Sequence, residues 1–566
     1  MAQAHTRGGF GYLIPASLAL LSAVFIAVPG TAQKPESAAL TAPPPVAPVR
    51  MVTDEYFGVK VPDPYRYMEN LKDPAVADWF KTQNDYTRSV LARIPGRAAL
   101  VKRIEALDES VPARVLDLRR LPGGLYFYQK RLAQEEIAKL YVRNGLNGKE
   151  RLLIDPAKFQ RTGGPHYAID YYNPSLDGRY VTIGISPAGS EDAVMRVIAV
   201  QTGKETGDII ERAQIGGASW LPDNRSFVYN RLQKLAPDAA PTDKYLNSRV
   251  YFHKLGTNPD QDPVVFGTGL AGVKIGASDL PLVGVIPGSS HAIGVIAHGV
   301  QNETTLYAAP LESVGTGSIP WSKICDVEDQ VTAFDVRGDD LYLLSHLQAS
   351  RFKVLHTRLS APNVSRAELV VPPGQAVIRN IAAAEDALYV QTMDGGIGRV
   401  LRVPYGSNKP EQMSLPFDGA VSLSATDQRV SGTLVEIESW TKGKTIYAYD
   451  ATTKRTADTG LQPKGAFDEL PDIESIEVKA PSYDGTLIPL SIMRKKGVNL
   501  NGSNPTLLDG YGAYGISHDP YSDPRRLAWF EQGGVIAVAH IRGELGPVHR
   551  HLMRFQQRDC VPQSRR

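Results

Sequence analysis

The sequence predicts an all-β seven-bladed propeller, preceded by a helical segment and followed by the opening strands of an α/β domain. Three observations predict this. Between about Val111 and Gly465, short runs of alternating β-formers replace helical spacing. Turn motifs recur there at a period of about 46 residues, in the range of propeller blades. Beyond Gly465, apolar runs without alternation appear, as expected of strands covered on both faces.

At 566 residues the chain exceeds a single core, and two or more domains are expected. Lys and Arg number 62 against 60 Asp and Glu, and no basic run interleaves with aromatics, which argues against a nucleic-acid partner. Residues 1–32 read as a signal peptide: Arg7, an apolar stretch from Tyr12 to Val28, then Gly30 and Ala32 as small residues at a cleavage point. A membrane anchor is the competing reading. Pro15 and Pro29 interrupt or end the stretch, which favours export with cleavage and no membrane contact afterwards. The expected location is periplasmic or secreted. Only Cys325 and Cys560 occur, far apart, and both are read as unpaired.

Residues 33–50 form a Pro/Ala-rich linker that includes Pro43-Pro44-Pro45. Residues 51–110 form the helical segment. Within it Trp79, Phe80, Val90, Leu91, Leu100, Ile104 and Leu107 recur at three- and four-residue spacing, and Pro95-Gly96 divides two helices. The propeller spans 111–465. Its strands include Gly124-Leu-Tyr-Phe-Tyr, Lys139-Leu-Tyr-Val-Arg, Arg249-Val-Tyr-Phe-His-Lys, Gly398-Arg-Val-Leu-Arg-Val and Thr445-Ile-Tyr-Ala-Tyr. Ser175-Leu-Asp-Gly-Arg is echoed by Leu221-Pro-Asp-Asn-Arg, and Asp340-Leu-Tyr by Ala387-Leu-Tyr. At that period the stretch holds roughly seven blades, whereas a pair of β-sandwiches needs no constant period.

Residues 466–546 begin the α/β domain. Ser475 to Ala480 and Leu487 to Met493 read as a hairpin about Tyr483-Asp484-Gly485. Thr506-Leu-Leu and Val535-Ile-Ala-Val-Ala read as buried strands, joined by one helix over Asp523 to Gln532 that Gly533-Gly534 closes. The last segment, 547–566, is rich in Arg and Gln and has no periodicity.

A serine hydrolase on such a sheet presents its nucleophile in a G-x-S-x-G turn, and no such pentapeptide occurs in the chain. Gly184-Ile-Ser186 and Gly288-Ser-Ser290 lack the second glycine and read as loop serines. Gly510-Tyr511-Gly512 follows the strand after which such folds stabilise an oxyanion. Tyr511 is therefore a candidate oxyanion donor, with a glycine-rich turn and a packing tyrosine as the plainer alternative. His518, His540, His549 and His551 invite a metal reading, but His549-x-His551 has no acidic partner at usable spacing and lies in the aperiodic tail, so neither a metal nor a cofactor is expected.

Together these segments resemble the prolyl oligopeptidase family of serine peptidases. The resemblance rests on Asp63-Pro-Tyr-Arg-Tyr-Met-Glu69, on the blade motifs at Ser175, Gly189-Ser-Glu and Arg249 to Gly256, and on Leu507 to Ser517 with Ala537 to Gly543. It implies a seven-bladed propeller plus a truncated α/β-hydrolase domain with an N-terminal helical segment. It also implies a peptidase that cuts short peptides after proline, with Tyr511 as the oxyanion tyrosine. The family continues Arg-Gly-Gly-Gly-Glu where this chain has Arg542-Gly543-Glu544, and a frame change there accounts for the tail. The catalytic Ser, Asp and His carry over to no position, so this chain is expected to be inactive; by family its partners are short peptides, and a monomer is expected although the sequence does not fix the oligomeric state. An oligopeptidase B-like enzyme cutting after Arg or Lys is the sibling reading. A propeller that binds peptides or a partner without catalysis is the reading from another class.

Overall fold

The computed structural model describes residues 43–407, 409–512 and 518–541. The expected leader at 1–32, the segment at 547–566, Cys560, His549 and His551 lie outside the described residues. Among those described, no helix is long and apolar enough to cross a membrane.

Seven four-stranded antiparallel sheets follow one another, at 113–154, 167–210, 218–267, 280–325, 331–371, 377–412 and 420–458. Each is a meander, because short turns favour pairing of strands adjacent in sequence. The repeated Asp-containing turns explain the period. Asp223 Oδ1 accepts the amides of Arg225 and Ser226, and Asp177 Oδ1 accepts that of Arg179, so each aspartate fixes the turn from the first strand to the second. The two repeats touch, since the Asp177 amide donates to Asn224 Oδ1 at 3.0 Å.

The alternation within each strand sends apolar side chains to both faces, and the core lies between neighbouring sheets. Phe127, Leu140 and Ile183 fill the first interface, and Tyr171, Trp220 and Phe227 the second. Each fully buried side chain of this size contributes about 1.5–3 kcal/mol of transfer free energy. The seventh sheet returns to the first: Leu434 and Ile446 pack with Val115 and Tyr128. The succession of sheets therefore forms a β-propeller with every sheet face covered.

The N-terminal helices and the last sheet meet beside it. Helices α1 (Pro74–Ala92) and α2 (Arg97–Glu109) start at Asp73, whose carboxylate caps the Ala75 amide, and at Gly96, with φ 79°. Arg103 on α2 forks onto Glu531 with contacts of 3.0 and 2.6 Å, so the N-terminal helices are bound to the last sheet. That sheet contains the hairpin Ile473–Pro481 and Leu487–Lys495, then Val535–Ala539, then Thr506–Gly510 at the edge. Val535–Ala539 runs antiparallel to Leu487–Lys495 and parallel to Thr506–Gly510, with Leu490 opposite Ala539 and Gly510 opposite Ala539 on the other side.

Two expectations for this region are corrected. The segment Asp523 to Gln532 is not one helix but a 3-10 turn, Pro524–Arg526, and a single α turn, α3 (Leu527–Phe530). It ends at Gly533, at φ 76°, where the amides of Gly533 and Gly534 donate to the Phe530 and Trp529 carbonyls; the Gly534 backbone lies against the Trp529 ring, and that indole donates to the Val535 carbonyl at 2.9 Å. Thr506-Leu-Leu is not buried: Leu507 and Leu508 are 45% and 67% exposed, because their strand is an edge with one neighbour.

Candidate functional site

The parallel strands Thr506–Gly510 and Val535–Ala539 end side by side, and their carboxyl ends open towards the propeller. In sheets of this kind ligands bind outside the carboxyl ends of parallel strands. Tyr511 leaves the first strand there, half-buried, with its ring edge-to-face on His518 at 5.9 Å. The Asp509 carboxylate caps the Gly510 amide at 2.8 Å and lies 3.8 Å from His518 Nε2.

His540 leaves the second strand. It is buried, its amide donates to the Pro489 carbonyl at 3.0 Å, and its Nε2 pairs with Ser491 Oγ at 2.9 Å. Burial holds its pKa below the ordinary value despite the opposing charges of Glu477 and Asp519. A neutral imidazole on a serine hydroxyl has the components of a nucleophile and base. Ser491, however, is 4% exposed in the middle of a strand, and on the same strand face Met493 joins the apolar core. A substrate carbonyl cannot reach it, so the pair fixes the strand ends. Sequence reading missed this pair, because Ser491 and His540 are brought together only by the register of two strands far apart in the chain.

The propeller forms the other wall. Its turn at Gly395-Gly396, with φ 54° and 76°, fits a two-residue hairpin loop that glycines allow. A Cβ on Gly396 would lie 3.3 Å from Pro520, so glycine is also needed for the close approach. Arg379 on the propeller lies 3.8 Å from Asp519. Gly395, Glu477, His518, Asp519 and His540 thus surround one small cavity between propeller and sheet.

Of the serines examined in the sequence, neither belongs here. Ser186 is not in a loop: it lies within the strand Tyr180–Pro187, fully buried, with its hydroxyl on Asp170. Ser290 is in a turn, beside His291. Cys325 is buried and unbridged, and burial pushes its thiol up to about 12, which leaves it unreactive. Among the described residues no cluster could hold a metal ion.

Residues 44–458 match the family model for the prolyl oligopeptidase N-terminal beta-propeller domain. The prolyl endopeptidase of Elizabethkingia meningoseptica is 27% identical over 498 residues, which cover 87% of this chain and 67% of that protein. A solved prolyl endopeptidase, from work on inter-domain dynamics in catalysis and specificity, superposes with a TM-score of 0.78 at 26% identity, over 89% of this chain and 72% of that one. Oligopeptidase B from Leishmania major, at 18% identity, shares the fold with a TM-score of 0.75, over 91% and 74% of the two chains. The propeller match alone takes in well over half of the sequence, and the chain belongs to the prolyl oligopeptidase family.

Proposed function

We propose that this chain supplies the seven-bladed propeller, the N-terminal helices and the oxyanion-side strands of an exported serine peptidase for short peptides cut after proline. The observation that carries this reading is the position of Tyr511. It stands at the carboxyl end of a parallel strand with its ring on His518, and His518 lines the small cavity beneath the propeller turn at Gly395-Gly396. There its hydroxyl would donate to the oxyanion of a tetrahedral intermediate, a contact whose loss typically costs about 3 kcal/mol. The first part of an α/β-hydrolase domain, residues 466–546 by the sequence reading, would carry it.

The 566 residues contain no nucleophile elbow, so acyl transfer is not expected from this chain alone. The same surfaces then bind peptides without cutting them, a second reading that the missing motif favours. Titration of a proline-containing chromogenic peptide into the purified chain tests both readings. The expected outcome is saturable binding with neither turnover nor labelling by a fluorophosphonate. Turnover blocked by that reagent would refute the assignment of inactivity, and absence of peptide binding would refute the role of the propeller.

A further inference from the structure

A second cleft, of about 640 Å³ including its open mouth, lies between the second and third sheets of the propeller. Its walls are the turn before the strand Val194–Ala199, the connection at 211–217, and the loop that follows the strand Ser226–Arg231. In meander sheets arranged as a propeller, turns between second and third strands share one face. The turns at 188–193, 232–248 and 395–396 are all of that kind, so this cleft opens on the face where Gly396 meets Pro520.

Its charge is one-sided. Arg212, Lys234 and Lys244 line it against the single carboxylate of Asp192, which Lys244 engages at 2.5 Å. Lys234 is exposed and makes no ion pair among the described residues. The Arg212 side chain is fixed: its Nη1 donates to the Leu232 carbonyl at 2.7 Å while the Leu232 amide donates back to the Arg212 carbonyl at 2.9 Å. That clasp holds Arg212 in the left-handed region, at φ 61°, which a residue with a Cβ adopts only when its surroundings impose it. Burial above all, and then the neighbouring Arg231, weigh against the Arg212 charge, while Asp260 and Glu211 favour it; the balance leaves its pKa below the ordinary value, and an anion in the cleft would raise it. Arg231 itself is engaged by Asp260 at 2.7 Å. Beneath the cations the floor is apolar, with Ala193 and Leu232 almost fully buried.

We propose that this cleft is a carboxylate subsite, which holds the free C-terminal carboxylate or an acidic side chain of a peptide while its apolar floor takes the adjoining side chain. A planar guanidinium with unused N–H donors beside an ammonium outside any ion pair matches a carboxylate; among the lining residues three cations face one acid, and Asp260, outside the lining and bound to Arg231, offsets part of that charge. As a peptide subsite the proposal rests on the peptide-binding reading above; as an anion site it can be tested without it.

The full-length chain would be titrated calorimetrically with acetyl-Ala-Pro-Ala-Leu bearing a free carboxylate, with its C-terminal amide, and with the amidated acetyl-Ala-Pro-Ala-Glu. The free acid should bind about tenfold tighter than the amide, a preference that salt weakens. Lys234→Gln, at an exposed site that should not disturb folding, should remove most of that preference, and Arg212→Lys should reduce it. Tight binding of the Glu amide would identify an acidic side chain as the ligand, and weak binding would identify the chain terminus. Equal affinity of acid and amide, an unchanged preference in Lys234→Gln, or stronger competition by inorganic phosphate than by acetate would overturn the proposal. If no peptide binds, N-acetyl-leucine against N-acetyl-leucinamide separates the two ideas. A Lys234-dependent preference for the acid would retain the subsite and discard the peptide reading, and no preference would discard the subsite.

Discussion

His253 is fully buried in the third sheet, with Nε2 3.1 Å from Asp208 and Nδ1 2.9 Å from Asp262. Burial pulls its pKa down, but the hydrogen bonds to the two carboxylates outweigh that and raise it to about 9. A buried cation with both N–H groups on acids is costly to break, because removal of the imidazole leaves two unneutralised carboxylates close together. His253→Leu is therefore expected to lower the unfolding free energy by about 3 kcal/mol at neutral pH. Because the folded pKa lies above the unfolded one, the contribution is complete below about pH 6.5 and is lost as pH rises through about 9. Urea unfolding of both proteins at pH 6, 7.5 and 9.5 should show the gap narrowing at the highest pH; a constant gap would show that the histidine is not charged. Gly396 carries a separate expectation. A side chain there meets both an unfavourable φ and Pro520, so Gly396→Ala should cost about 1 kcal/mol and loosen the contact between propeller and sheet. Faster trypsin cleavage between the two would register it. Neither role was legible beforehand. The sequence places His253 in a strand and Gly395-Gly396 before another, but their partners at Asp208, Asp262 and Pro520 belong to other elements.

Individual strands and turns were legible where the signal is local. The Asp-containing turns announce themselves because each aspartate bonds to amides two or three residues ahead, and the hairpin at 473–495 closes on Gly485, at φ 81°. What a strand faces is not local. Leu507 and Leu508 read as core residues, yet they project from the edge strand Thr506–Gly510. An exposed apolar edge pairs readily with other chains, and charge on such an edge suppresses that pairing. Leu508→Lys should therefore raise the soluble, monodisperse fraction on size-exclusion chromatography without altering the propeller. Under limited proteolysis the segment from Ile473 to Ala539 should be lost before the seven sheets; equal resistance of the two would contradict this. Sheet order was not legible either. The insertion of Val535–Ala539 between Leu487–Lys495 and Thr506–Gly510 depends on pairings across long stretches of chain, and that order brings His540 against Ser491.

Closure of the propeller is a property of the whole molecule, and a few side chains hold it. No strand is exchanged between the first and seventh sheets; each is built from consecutive residues. The seam relies on the apolar contact of Val115 and Tyr128 with Leu434 and Ile446, and on Gln462. The Gln462 amide oxygen accepts the Val115 amide at 3.0 Å and its nitrogen donates to the Ala113 carbonyl at 2.7 Å, so one buried side chain stands in for a strand along the innermost edge of the first sheet. Lys444 adds a bond from its ammonium to the Val115 carbonyl at 2.6 Å. Gln462→Ala would strand a buried donor and a buried acceptor, at about 1–3 kcal/mol for each group left unsatisfied. Because the seam is the one junction between sheets far apart in sequence, the damage should be directional. Hydrogen exchange should quicken first at 113–121 and 420–458, while the fourth sheet, 280–325, keeps its protection. A uniform loss of protection across all seven sheets would mean that the ring opens as a single cooperative unit and that Gln462 acts on global stability, not on the seam.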